Sequence, residues 1–262
     1  MRLAVFSDIH GNLLALEAVL ADIEAQGLPD AYWVLGDLAA FCPWPAETIE
    51  RLQALPDASF LRGNTDRYLV TGRRPQQPPV RSAQDWAALP DQLAERDANF
   101  RWTVARLSYA DYAFLNALPV RLEMEVPGYG AIAAVHATAE DDETFLTPDV
   151  SDGDIRDHFC ALKVSQGEAP AKGQGSSLVL YGHTHRPVDR VVGDMRVVND
   201  GSVGMPLDGD PRPAYALLDF EGAECAVTIH RVSYNRDAVL AQLAQVDHPA
   251  KSWVGQKLRN AG

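Results

Sequence analysis

"LVLYGHTHRP", residues 178–187, runs from an apolar stretch into a turn that carries two histidines two positions apart. Alone, it reads equally well as an ordinary exposed turn. Its meaning depends on whether other strands end in partners for these imidazoles. Four other apolar runs do end in residues able to bind metal: "VFSDIHGN" (5–12), "VLGDL" (34–38), "FLRGNTDR" (60–67) and "AVHA" (134–137). Helical spacing alternates with these runs. Leu13, Leu16, Leu20 and Ile23 recur from an Asn12 cap to a stop at Gly27, and "AETIERLQAL" follows Pro45. Such alternation predicts an α/β fold.

Further strands are expected at 3–6, 32–35, 58–61, 121–126, 131–135, 177–181, 195–199, 215–220 and 226–232. Prolines 75, 78, 79 and 90 mark 73–90 as irregular. Helical patterns follow at Trp86–Leu93, Ala98–Leu107 and Asp111–Leu118, so 67–118 reads as a helical cap inserted in a single domain of 1–262. Residues 138–176, rich in acidic, Gly and Pro residues, read as a second surface excursion. The chain then closes with a helix from about Asp237 and a polar tail. A length of 262 residues suffices for one such domain.

The formal charge is −13 and the pI about 4.9. That field repels a long nucleic acid or an anionic membrane, but not a small anion drawn to a locally positive pocket. No apolar run is long enough to span a bilayer, and Leu3–Phe6 starts at once after Arg2, with no leader pattern. Cys42, Cys160 and Cys225 are odd in number and far apart, and read as buried thiols of a reducing, cytoplasmic compartment.

Side chains at the carboxyl ends of strands converge on the crevice of an α/β sheet. This brings Asp8, His10, Asp37, Asn64, His136, His183 and His185 together. Two carboxylates, one amide oxygen and four imidazoles exceed the needs of one divalent ion, and suit two with Asp37 between them. Nitrogen and oxygen donors without thiolate favour Mn²⁺, Fe²⁺, Zn²⁺ or Ni²⁺ over Ca²⁺. His136 is the least self-evident member, chosen because no other histidine between Asn64 and the 183/185 pair stands in a suitable position. His158, His230 and His248 have no such company.

The order Asp-x-His, Gly-Asp, Gly-Asn-x-Asp, His, Gly-His-x-His resembles the calcineurin-like metallophosphoesterase superfamily. "VFSDIHGN" and "VVNDGSVGMP" (197–206) are most similar to its small bacterial and archaeal phosphodiesterases. The resemblance runs from residue 2 to about 233, apart from the two excursions. It implies a four-layer sandwich of two central sheets flanked by helices. It also implies a first metal on Asp8, His10 and His185, a second on Asn64, His136 and His183, and Asp37 as bridge, with Mn²⁺ the leading metal. The paired histidines would then serve one ion each, the two ions lying about 3.5–4 Å apart.

Asp37, Asn64 and His136 are the expected catalytic positions, serving attack by a metal-bridging hydroxide on a phosphodiester of a small molecule or nucleotide. Bound metal would leave the site about +1 within an acidic protein. Asn12, Arg62, Arg67 and Arg186 are candidate phosphate contacts, although Asn12 also reads as a helix cap and the arginines as surface charges. The aromatic "FCPWP" (41–45) reads either as a pocket wall or as core.

One departure stands out. Many relatives carry histidine after the asparagine, and this chain has Thr65, a poor general acid, which favours activated or aryl diesters over alkyl monoesters. Asp66 reads as an orienting residue. The alternatives are a dinucleoside polyphosphate hydrolase or phosphomonoesterase on the same site, or a non-catalytic scaffold of the same fold. A homo-oligomer is compatible with the sequence.

Overall fold

The computed structural model describes residues 1–77, 79–147, 149–162 and 177–262. Among the described residues, ten strands form two sheets. The first has the order β10-β9-β1-β2-β3, with β1 (Arg2–Phe6), β2 (Ala31–Val34), β3 (Ala58–Phe60), β9 (Ala214–Glu221) and β10 (Glu224–Arg231). The second runs β4-β5-β6-β8-β7, with β4 (Arg121–Val126), β5 (Gly130–Val135), β6 (Ser177–Tyr181), β7 (Val188–Val192) and β8 (Met195–Asn199). Strands β1, β2 and β3 run parallel, as do β5, β6 and β8, while β9, β10, β4 and β7 pair antiparallel.

Alternation along β1 shows how the layers arise. Leu3 and Val5 face the second sheet and pack with Trp33, Ile132, Leu178, Leu180 and Leu218. Ala4 and Phe6 point the other way, into a core with Leu16, Val19 and Ile23 of helix α1 (Leu13–Gln26) and Ile49 and Leu52 of α2 (Pro45–Gln53). On the far side of the second sheet, Val135, Val179, Tyr181 and Val197 bury Ile155 and Phe159 of α6 (Asp152–Phe159). Strands covered on both faces read as unbroken apolar runs because neither face meets water. The result is the expected α/β sandwich of two central five-stranded sheets with helices outside.

Several local expectations are corrected. The stretch 64–71, read as part of a motif only, is helix α3 (Asn64–Thr71). The two predicted helices around Trp86–Leu93 and Ala98–Leu107 are one, α4 (Ala83–Val104), which continues through Pro90, a residue that ordinarily ends a helix. It therefore begins inside the stretch read as irregular, after a cap in which Ser82 accepts the Asp85 amide. With α5 (Tyr109–Ala117) it packs on the first-sheet side, where Phe100 and Leu115 are fully buried. Strand β7 went unread, and α6 lies within the 138–176 excursion, whose residues 163–176 fall outside the described residues. The polar tail is a second helix: α7 (Arg236–Gln245) is followed by α8 (Lys251–Asn260). Of the three free thiols only Cys42 is buried, and Cys160 is exposed. Among the described residues no helix is long and apolar enough to cross a membrane.

Candidate metal centre

Five strands deliver the site at their carboxyl ends: β1 leads into Asp8 and His10, β2 into Asp37, β3 into Asn64, β5 into His136, and β6 into His183 and His185. The loops are stitched by main-chain bonds. Asp8 N donates to the Gly36 carbonyl (3.0 Å), His10 N to that of Asp37 (2.9 Å) and Gly182 N to that of His136 (2.9 Å). The backbone turns sharply at the ligands themselves, with positive φ at Asp8 (52°), His10 (53°), Asp37 (57°), His183 (66°) and His185 (56°). Short polar residues tolerate this region best, but five together mark a site held by its surroundings.

Glycines make the close approach possible. A Cβ at Gly63 would stand 2.1 Å from Asp37 Oδ1, and one at Gly182 2.5 Å from Ser7 Oγ and 2.8 Å from Asp8 Oδ2. At Gly36, φ of +90° adds a backbone that other residues rarely adopt.

The side chains form two groups. In the first, His10 Nε2 lies 3.2 Å from His185 Nε2, and Asp8 Oδ1 lies 3.2 Å from His185 Nε2 and 3.8 Å from His10 Nε2. In the second, Asn64 Oδ1 lies 3.0 Å from His136 Nε2 and 3.1 Å from His183 Nδ1. Asp37 stands between them, its Oδ2 3.8 Å from His10 Nε2 and 3.6 Å from His136 Nε2. All seven predicted metal-binding residues therefore meet at one place. Two compact donor sets, Asp8–His10–His185 and Asp8–Asp37–His136, have one ligand atom from each residue within 4.8 Å of the others.

Carbonyl groups fix the imidazoles. His136 Nδ1 donates to the Leu35 carbonyl (2.7 Å), His185 Nδ1 to that of Met205 (2.5 Å) and His183 Nε2 to that of Glu143 (3.0 Å). The remaining nitrogen of each ring faces the centre. This is how metal-binding histidines are commonly oriented. Asp8 Oδ1 is buried without a hydrogen-bond partner. A buried, unpartnered carboxylate oxygen facing imidazole nitrogens fits a divalent cation.

Charge tells the same story. Burial alone would raise the Asp8 carboxyl, but His185 brings it down to about 2. Burial likewise opposes ionisation of Asp37, and His136 overrides it and lowers its pKa further. Burial opposes a charge on His136 too, yet Asp37 pushes it up to about 10. Burial lowers His10 to about 4. Two buried carboxylates thus favour positive charge beside them, and His136 and His185 are the rings whose pKa they raise.

Around this centre, Asp66 accepts the amides of Asp37 (2.8 Å), Leu38 (2.9 Å) and Gly63 (3.0 Å), the orienting role expected of it. Its carboxyl is raised to about 7, by burial and then by Asp37. Thr65 N donates to Asp37 Oδ1 (2.8 Å). Ser7 Oγ bridges Asp8 Oδ2 (2.6 Å) and Asp200 Oδ2 (3.0 Å), a link that sequence reading missed because both residues look like turn formers.

The candidate phosphate contacts are dispersed. Asn12 is fully buried; it accepts the Ala15 amide (3.3 Å) and donates to the Gly204 carbonyl (2.9 Å). Arg67 donates to both oxygens of Asp142 (2.7 Å each) and to Glu143 (2.5 Å), so its fork is already engaged. Arg186 donates to the Leu207 carbonyl (2.9 Å). Arg62 lines a cavity of about 860 Å³ that reaches His136, and its buried Nε has no hydrogen-bond partner. A second cavity of about 160 Å³ is lined by His10, Asp37, Asn64, His183 and His185 together with Phe41, Tyr68 and Trp253. Phe41, of the aromatic stretch, is thus a pocket wall, whereas the neighbouring Cys42 is core.

A family model of the calcineurin-like phosphoesterase superfamily domain matches residues 1–223, and the chain belongs to that family. An uncharacterised protein of Methanocaldococcus jannaschii is 28% identical over 260 residues, covering 98% of this chain and 96% of its own. The phosphodiesterase YfcE of Escherichia coli is 36% identical over 75 residues, 29% of this chain and 36% of that protein. Among solved structures, a metallophosphoesterase from Sphaerobacter thermophilus superposes with a TM-score of 0.73 at 25% identity, covering 100% of this chain and 99% of that one.

Proposed function

We propose that this phosphoesterase-family protein is a dinuclear-metal phosphodiesterase acting on a small or nucleotide-like ester. The observation that carries the reading is the pair of donor groups on either side of Asp37 Oδ2, each furnished with imidazole nitrogens already oriented by backbone carbonyls. Asp8, His10 and His185 would hold one ion, Asn64, His136 and His183 the other, and Asp37 both. Mn²⁺ is the metal proposed first, and the nitrogen and oxygen set also suits Fe, Zn or Ni. When bound, such ions make water a nucleophile near neutral pH and offset charge on the phosphoryl oxygens.

The protein's own groups do the rest. Asp66 holds the Asp37 amide, and Thr65 N holds the Asp37 carboxylate. Arg67 clamps Asp142 and Glu143, and so steadies the carbonyl that orients His183. Arg62 lines the cavity that reaches His136, where its charge would favour an anionic ester, and that cavity gives one substituent of a diester room. No imidazole follows Asn64 to protonate a leaving oxygen, so substrates with good leaving groups should react best. The identity to a short part of the E. coli phosphodiesterase supports the diester reading.

Turnover of the bis-ester and the monoester of p-nitrophenol with added Mn²⁺ tests it. Faster hydrolysis of the bis-ester is expected, and faster hydrolysis of the monoester would overturn it.

A further inference from the structure

We propose that α8 selects the substrate. Trp253 stacks on a flat aromatic group of the ester, and Lys257, one turn further on, holds an oxygen of the adjoining phosphate. The proposal rests on the phosphoester-binding reading of the metal site.

Helix α8 is anchored through Val254 and Leu258, which are buried with Cys42, Val239 and Leu243. The residues one position earlier on each turn, Trp253 and Lys257, share a neighbouring face and stand in the wall of the 160 Å³ cavity that holds five candidate metal ligands. Trp253 remains 39% exposed, so much of its indole is open to a ligand. Its ring centroid lies 5.2 Å from that of Phe41, which lies 4.9 Å from the ring of His10. An aromatic wall therefore runs from a metal ligand to the rim.

That wall is held under backbone strain. Phe41 has φ of +92°, a conformation that a bulky residue adopts only when its surroundings impose it, and such outliers cluster at ligand sites. The cation completes the pair. Lys257 Nζ donates to a main-chain oxygen of Gly262, the last residue of the sequence (3.1 Å), and no side-chain carboxylate of the described residues pairs with it.

A ring on Trp253 beside a phosphate between Lys257 and the metal site describes aryl or nucleoside phosphates better than purely alkyl ones, since stacking rewards a flat π-face. The family model ends at residue 223, so both residues lie beyond the span that it matches.

Calorimetry on the full chain loaded with Mn²⁺, with adenosine 5′-monophosphate and ribose 5-phosphate as probes, tests the proposal. The base should make the nucleotide bind about tenfold more tightly. Trp253→Ala should erase that difference, and Trp253→Phe should keep most of it. Lys257→Gln should weaken both probes by a similar factor and flatten their salt dependence. Equal binding of the two probes to the parent, no binding of either, or a preference that survives Trp253→Ala would overturn it. If the preference holds as expected but no diester is hydrolysed, the phosphodiesterase reading fails and the role of α8 stands.

Discussion

Five of the candidate metal-binding residues lie in the left-handed backbone region, with strain of order 1 kcal/mol at each, held by the loops that cross one another there. What the strain secures is direction: the donor atoms face one another rather than solvent. The protonation of these donors yields a prediction. Asp37 raises His136 to about 10, so at pH 7 the metal-free ring carries an extra proton that ligation must displace. Metal loading should therefore release protons, and affinity should rise as pH rises towards that value. Calorimetry in buffers of different ionisation enthalpy measures the release; pH-independent binding with none would contradict it. Asp66 supports a second prediction. Asp66→Ala strips the acceptor from three buried amides and should cost about 3 kcal/mol or more, read from the urea midpoint, and an unchanged midpoint would contradict it. At this scale the ligands were legible because acidic and imidazole residues directly after apolar runs are chemically conspicuous. Ser7 and Asp200 were not, since only folding brings residues 193 positions apart within hydrogen-bond reach.

The elements explain why arginines beside a phosphate-binding motif need not touch phosphate. Arg67 leaves α3 and ties down residues 142–143, whose Glu143 carbonyl orients His183. Arg67→Ala should lower affinity for the second metal about 10–100-fold, as loss of an outer support does. Metal titration checks this, and intact metal affinity with only a raised KM would make Arg67 a substrate clamp instead. Gly63→Ala should bind metal poorly, because its Cβ would stand 2.1 Å from Asp37 Oδ1 and 2.5 Å from the Asp37 amide and so displace that residue. Metal titration of a variant with a native melting profile tests it, and unaltered affinity would contradict it. Central strands were readable as apolar runs because both faces are covered. The edge strand β7, "VDRVV", alternates with exposed Asp189 and carries Arg190 paired to Asp152, so it lacked that signal. Pro90 split α4 on paper, and the ligand motif at Asn64 disguised the start of α3.

At the scale of the whole molecule, an acidic protein of charge −13 gathers seven donor residues spread across 178 residues of sequence, Asp8 to His185, into one centre. The two-sheet sandwich supplies this by pointing the carboxyl ends of both parallel sets the same way. Trp253 and Lys257 arrive there from α8, and no local pattern in "KSWVGQKLRN" announces a pocket wall. The central claim is that this centre holds two metal ions on which hydrolysis depends. The most direct measurement is metal content per chain, taken on protein purified without chelator and followed through EDTA stripping and Mn²⁺ restoration with bis-ester turnover read at each stage. Two ions per chain, loss of turnover on stripping and its return on loading are expected. Full turnover by protein shown to be metal-free would contradict the account.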